Sequence, residues 1–174
     1  MYREAISHYK KAIEINPRSA EVSSIHNNLG VVYLAIGDFD SAISEFEKAL
    51  SDVLYPTPEI AHNNLGWAFY KKGLLDRAIE HYMKAIKLNP SFPQARNNLG
   101  IALLEKGRLE EAEGELKKAL EIFPGYTEAR FYLGKVYLKM GQKRKAIEEF
   151  EYIVREAPEG EYKTLSKQYL RDLQ

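Results

Sequence analysis

The chain has 174 residues, of which 45% are hydrophobic and 29% are charged, a composition typical of a folded domain. Lysine plus arginine and aspartate plus glutamate number 25 each, which argues against a broad basic surface for nucleic acid. The absence of cysteine excludes disulfides, thiol nucleophiles and thiolate metal sites. The apolar stretches are too short to span a bilayer.

Apolar residues spaced i, i+3 and i+4 predict helices along the whole chain. The first, over 2–15, opens the chain without a signal-peptide pattern, so we expect the sequence to begin within a structural unit. Thr57 before Pro58, and Ser91 with Gln94, are typical helix starts. Further helices are expected near 20–36, 39–53, 58–72, 75–88, 92–106, 109–122, 126–140, 143–156 and 160–172.

Several residue types recur in one register. One glycine set recurs at intervals of 36, 34 and 34 residues and comprises Gly30, Gly66, Gly100 and Gly134. The others are Gly37, Gly73, Gly107 and Gly141; Ala42, Ala78, Ala112 and Ala146; and Pro90, Pro124 and Pro158. We expect the first set to let a partner helix approach closely. The second set should end each first helix in the left-handed conformation, and proline should close each second helix.

This pattern of Leu-Gly-x-x-(Tyr/Phe/Leu), a glycine turn, Ala-x-x-x-(Phe/Tyr/Leu) and a proline resembles the tetratricopeptide repeat family over nearly the whole chain. The usual large aromatic residue three positions before the leucine is replaced by His26, His62, Arg96 and Arg130. The resemblance implies an all-α fold, a right-handed α-α superhelical solenoid of hairpins with a C-terminal capping helix. That helix should pack through Tyr162, Leu165 and Tyr169.

The resemblance also implies a domain organisation, a single array over 1–174. Residues 1–17 would be the second helix of an incomplete repeat. Four repeats would follow over 20–56, 57–90, 91–124 and 125–158, with the capping helix over 159–174. We expect the uncapped N-terminal helix, with Ala5, Tyr9 and Ala12 on its apolar face, to pair with another copy of the chain.

In this family the first helices line a concave groove, so the resemblance places the outward positions of these helices in a binding site. Paired asparagines recur there. Asparagine is a poor helix former, and its amide can donate and accept hydrogen bonds with an extended peptide backbone. The alternative is that these amides tie neighbouring helices together. The predicted ladder comprises Asn28, Asn64 and Asn98, with Asn27, Asn63 and Asn97 beside it.

Apolar side chains form the second feature of the predicted groove. Val31, Trp67 and Ile101 occupy equivalent outward positions, and a lone tryptophan on an open face is typical of an interface anchor. The alternative is that Trp67 packs against the next hairpin. The remaining predicted groove residues are Ile60, Tyr70, Lys71, Phe131, Tyr132 and Lys135.

These features predict a non-catalytic module, without cofactor or metal, that binds an extended or helical peptide segment of a partner protein. The histidines His8, His26, His62 and His81 show no metal-ligand spacing, and no glycine-rich phosphate loop occurs. A clamp for chaperone C-terminal carboxylates, known in this family, is disfavoured because the first repeat has no groove lysine to match Lys71, Lys135 and Lys139. A self-associating scaffold without a peptide ligand is the competing interpretation.

The hairpin before Asn64 has two extra residues, located ahead of Pro56. Its sequence, Ala49-Leu50-Ser51-Asp52-Val53-Leu54-Tyr55-Pro56-Thr57-Pro58-Glu59, resembles a stretch of the type IV pilus pilotin family (PilF/PilW). The same family has a His-Asn-Asn motif, as at His26-Asn27-Asn28. This resemblance implies a bacterial lipoprotein, anchored to the outer membrane and facing the periplasm, that binds a secretin or another pilus component. A cytoplasmic location is the alternative, and this sequence does not contain that family's lipidated cysteine and signal peptide.

Overall fold

A computed structural model describes residues 2–17, 19 and 21–173. Every regular element in these residues is an α-helix, which confirms the all-α class. The chain divides into two compact units, unit 1 (Met1–Pro90) and unit 2 (Ser91–Gln174), and the boundary coincides with one predicted between two repeats. The single array stays a prediction, and its boundaries at Met1, Ala20 and Gln174 lie outside the described residues.

Unit 1 is built from two helical hairpins and one further helix. The α2–α3 and α4–α5 pairs form the hairpins, α3 packs against α4, and α1 packs against α2. Each hairpin therefore buries its apolar faces against its own partner and against the next hairpin. The helices are α1 (Tyr2–Ile15), α2 (Val22–Ala35), α3 (Phe39–Ser51), α4 (Pro58–Lys71) and α5 (Leu75–Leu88).

Unit 2 repeats this plan and ends in a single helix. Its hairpins are α6–α7 and α8–α9, α7 packs against α8, and α10 packs against α9 and α8. None of the helices in the described part of the chain is long and apolar enough to cross a bilayer. The helices are α6 (Pro93–Glu105), α7 (Leu109–Ile122), α8 (Thr127–Lys139), α9 (Lys143–Glu156) and α10 (Glu161–Asp172).

The glycine turns within the hairpins have the predicted left-handed backbone. Gly73 has φ of +75°. Its N–H donates to the Tyr70 carbonyl and the Leu74 N–H donates to the Phe69 carbonyl, each at 2.9 Å, which is the Schellman pattern that ends a helix. Because a residue with a Cβ would be strained at this φ, glycine fixes the length of the first helix of each hairpin.

The glycines within the first helices allow the close approach that the sequence predicts. A Cβ placed on Gly66 would lie 2.7 Å from the Tyr82 ring and 3.2 Å from the Ala78 carbonyl oxygen. Tyr82 itself is fully buried. The two helices of the hairpin therefore pack closely where Gly66 has no side chain, and the Tyr82 ring fills the space beside it.

Two predicted helix termini are wrong. The helix predicted to reach residue 53 ends at Ser51, since Asp52 turns the backbone to an extended conformation and Tyr55 packs into the core with Ala49 and Ala61. α6 begins at Pro93 behind Phe92, which forms no side-chain cap, and not directly behind Ser91 as the capping-box pattern predicted. Proline at the first helical position provides the start instead.

The capping helix α10 packs on α8 and α9, but one of its three predicted contact residues is exposed. Tyr162 and Tyr169 pack against these helices as predicted, with the Tyr169 ring stacked 5.0 Å from Phe150. Ser166 is fully buried between them, whereas Leu165 is 36% exposed. The packed face thus follows i, i+4 and i+7, and the prediction for Leu165 is wrong.

Candidate interaction surface

One side of α4 carries four of the predicted site residues. Ile60, Asn64, Trp67 and Lys71 follow i, i+4, i+7 and i+11, so they share one face of the helix. Ile60 is 39% exposed, Lys71 is exposed, and the other two are half-buried. The opposite face holds the buried residues Ala61, Leu65, Ala68 and Phe69. The predicted separation of a core face and an outward face on this helix is present.

Trp67 is held by its neighbours in the last two turns of α4. The Tyr70 ring stacks on the indole with centroids 5.1 Å apart and planes 11° apart. The Lys71 Nζ lies 4.7 Å above the indole centroid, in cation–π contact. The indole is therefore oriented before any ligand arrives, so less side-chain entropy would be lost on binding.

Helix α2 adds exposed positions in the same register. Asn28 is exposed, and Val31, the equivalent of Trp67, is 43% exposed. No aspartate, glutamate, lysine or arginine occurs in α2, and α4 has only Glu59 and Lys71. The outward face of these helices is therefore largely neutral, with amides and apolar groups near one cation. We call Asn28, Val31, Ile60, Asn64, Trp67, Tyr70 and Lys71 the α2–α4 surface.

Two of the flanking asparagines join neighbouring helices. Asn27 is 8% exposed, and its Oδ1 accepts a hydrogen bond from Asn64 Nδ2 at 3.2 Å, joining α2 to α4. Asn97 is fully buried, and its Nδ2 donates to Glu128 Oε2 at 3.0 Å, joining α6 to α8. The placement of Asn97 in an open groove is therefore wrong, because its buried amide donates to a half-buried carboxylate instead.

Two apolar groove predictions in unit 2 are also wrong. Ile101 is 3% exposed because α6 is buried on most of its sides, with eight buried residues in its 13. Phe131 is 4% exposed because aromatic rings surround it: the centroids of Tyr162 and Tyr169 lie 5.3 and 5.8 Å from its own. Both side chains belong to the core.

The other predicted residues of unit 2 keep partly accessible positions. Asn98 and Tyr132 are half-buried, and Lys135 Nζ lies 4.9 Å from the Tyr132 ring centroid. Burial, with the nearby Glu128 carboxylate, raises the pKa of Tyr132. Asn63 in unit 1 is likewise half-buried. Binding by these four residues stays a prediction.

Sequence reasoning missed a set of polar pairs inside the hairpins. In each hairpin a first-helix residue contacts the residue 19 positions later. Arg96 Nη1 lies 2.7 Å from Glu115 and Arg130 Nη1 lies 2.8 Å from Glu149. In the second hairpin His62 meets His81 at the same offset. The recurring opposite charges at that spacing were the signal that could have revealed the pairing.

Comparison with known families agrees with this architecture. One tetratricopeptide repeat model matches residues 27–91 and 63–127. Two further tetratricopeptide repeat models match residues 1–52 and 114–169. The chain belongs to the tetratricopeptide repeat family. Tetratricopeptide repeats form protein-interaction modules, and this chain is such a module. No match was found among curated protein sequences.

Solved structures with the same fold include three proteins. MamA is 24% identical, with 98% of this chain and 91% of that chain covered and a TM-score of 0.76. YrrB, described as having an unusual peptide-binding site, is 24% identical, with 96% and 84% covered and a TM-score of 0.75. PilW, a type IV pilus biogenesis factor, is 26% identical, with 90% and 71% covered and a TM-score of 0.79. These similarities confirm a helical-repeat fold.

Proposed function

We propose that the α2–α4 surface binds an extended peptide segment of a partner protein. The observation that carries the proposal is the arrangement of Trp67, which lies outside the core with its indole stacked on Tyr70 and covered by the Lys71 ammonium. A large, oriented aromatic side chain on an accessible face is typical of residues that dominate binding energy at interfaces.

The neighbouring amides provide contacts for a peptide backbone. Asn28 is exposed and can both donate and accept. Asn64 uses one N–H of its amide in the bond to Asn27 Oδ1. This bond fixes the orientation of the second N–H and the carbonyl oxygen of the same amide. Each amide–backbone hydrogen bond contributes roughly 0.5–1.5 kcal/mol. The preferred ligand is therefore a segment that places one large apolar side chain on Trp67, while its backbone meets the amides.

Peptide display against the whole protein, followed by calorimetry, tests this proposal. We expect Trp67→Ala to weaken the selected peptide at least about tenfold, since hot-spot aromatics contribute about 2 kcal/mol or more. The helical melting temperature should change little. Met83→Ala is the matched control, because Met83 is 57% exposed on α5 and outside the surface. Equal binding by the Trp67 and Met83 variants would contradict the proposal, as would unfolding of the Trp67 variant.

We further propose that the partner belongs to an envelope complex of type IV pilus biogenesis, such as its secretin. The support is the pilotin-like segment around Tyr55, together with the similarity to PilW. The same proposal places the full-length protein at the periplasmic face of the outer membrane. Capture from native cells should recover a secretin or pilus subunit with the wild type and lose it with Trp67→Ala. Recovery that is equal with both proteins, or a native protein confined to the cytoplasm, would refute this assignment.

Self-association is a second candidate function, favoured by one observation on α1. This helix has no buried residue, and Tyr2, Arg3 and Ile6 line a cavity of about 440 Å³ with Ile36. A second copy packed on this face would bury those apolar groups. Light scattering should then show a dimer that Ile6→Glu dissociates. A monomer at high concentration would remove this candidate.

A further inference from the structure

The His62–His81 contact differs from its three counterparts. The two Nδ1 atoms lie 3.1 Å apart, with ring centroids 5.2 Å apart. The equivalent pairs in the other hairpins each include a carboxylate, Glu45, Glu115 or Glu149. The α4–α5 hairpin therefore has two bases at a position where the other hairpins have a base and an acid.

The geometry excludes two charged rings. One Nδ1 donates its proton while the other accepts, so protonation of the accepting Nδ1 would bring two N–H groups face to face. His81 is 8% exposed and lies 5.4 Å from the Phe69 ring, so water offers little compensation for a charge there. Burial, followed by the repulsion from His62, lowers the pKa of His81 to about 4. Burial also lowers the pKa of His62.

The surrounding charged groups offset a proton on this pair only weakly. On α5, Glu80 favours protonation of both rings, but Lys84, which is bonded to Glu80 at 2.6 Å, opposes it, and Arg77 opposes protonation of His81. From α3, Glu47 lies 3.9 Å from Arg77. From α2, Asn27 faces α4 and is not titratable. Within the described residues, each ring is bonded to the other imidazole and not to a carboxylate such as the one that Glu115 provides to Arg96 in unit 2.

We propose that the His62–His81 contact makes the α4–α5 hairpin acid-sensitive, so that the protein loses stability as the pH falls from 7 to 5. His62 lies on α4 two residues before Asn64 and five before Trp67, so the sensitive contact belongs to the helix that carries most of the α2–α4 surface. The proposal does not depend on any ligand.

The direction follows from the proton balance. Histidine in the unfolded chain titrates near its ordinary value of 6.5, whereas folded His81 titrates at about 4. The unfolded state therefore binds more protons between these values, and stability is full above about pH 6.5 and falls below it. The folding equilibrium constant should decrease on the order of tenfold between pH 7 and pH 5.

The matched variant is His62→Arg with His81→Glu, which reproduces the Arg96–Glu115 and Arg130–Glu149 pairs. Urea denaturation followed by Trp67 fluorescence should show the roughly tenfold decrease in wild type and a decrease of no more than about threefold in this variant. Equal decreases in the two proteins would overturn the proposal.

An NMR titration of wild type covers the case in which the variant does not fold. The ring proton resonances of His81 should still report a neutral imidazole at pH 5.5, and a midpoint near 6.5 would overturn the proposal.

The NMR and urea results need no peptide, so a failure of this proposal is distinguishable from a failure of the proposed function.

Discussion

Trp67 in unit 1 and Ile101 in unit 2 occupy the same position of the repeat, but their surroundings differ. Trp67 is half-buried on a helix with a clear outward face, whereas Ile101 is 3% exposed on a helix buried on most sides. At another repeat position, Asn28 is exposed, whereas its equivalents Asn64 in unit 1 and Asn98 in unit 2 are half-buried. The repeat register thus fixes the position of a side chain on its helix, and the packing of the neighbouring helices determines whether that side chain is exposed to solvent.

Replacing one aromatic residue in each unit should give the largest difference in stability between the two units. Phe131→Ala should lower the free energy of unfolding by about 3–5 kcal/mol, since it removes a ring from a packed cluster and leaves a cavity. Trp67→Ala should cost only about 1 kcal/mol, because its indole is partly in contact with water. Urea denaturation followed by circular dichroism measures both. Similar losses would mean that Trp67 belongs to the core and that the two units do not differ in this way.

Two glycines of the α6–α7 hairpin test how closely the helices pack within unit 2. Gly100→Ala should destabilise by about 1–2 kcal/mol, because its Cβ would lie 2.6 Å from Leu116, which is fully buried and has no room to move. Gly114→Ala should stabilise by about 0.5–1 kcal/mol, because nothing lies within 4 Å of its Cβ and alanine favours the helix. Thermal melts of the two variants should move in opposite directions, and shifts of the same sign would contradict the packing.

The hydroxyl groups near Glu128 give the smallest expected effect. Tyr162→Phe removes a hydrogen bond of 2.6 Å from α10 to this carboxylate and should cost about 1 kcal/mol. Tyr126→Phe is the matched control, since its hydroxyl lies 3.5 Å from the same carboxylate and should contribute less than about 0.5 kcal/mol. The urea midpoints should rank accordingly. A larger loss for Tyr126 would show that α10 is not fixed through this carboxylate.

The helical hairpins could be predicted from the sequence because their determinants are local. Gly73 permits the left-handed turn, and Gly66 with Ala78 permits close helix packing. Both features can be predicted from residue type and repeat register. The end of α3 could not be predicted in the same way, because Tyr55 reaches the core only through contacts with Ala49 and Ala61. Such contacts override the helical pattern that continues to Val53.

The candidate surface was predicted in part. The outward positions of α4 follow from its periodicity, so Ile60, Trp67 and Lys71 were placed on the accessible face. The burial of Phe131 could not be predicted, because it depends on the rings of Tyr162 and Tyr169 in α10. Helical periodicity does not predict contacts between residues so far apart in the sequence. Asn97 was misplaced for a similar reason, since its partner Glu128 lies on another helix.

A ligand of the α2–α4 surface should contact Trp67, which is the single tryptophan of the chain, so its fluorescence reports on this surface directly. Titration of the wild-type protein with a display-selected peptide should shift the emission and saturate at the dissociation constant measured by calorimetry. Asn28→Ala should move that saturation to higher peptide concentration by a few fold, about the loss of one hydrogen bond. Binding detected by calorimetry with an unchanged Trp67 emission would place the ligand elsewhere and contradict the proposed contact with Trp67.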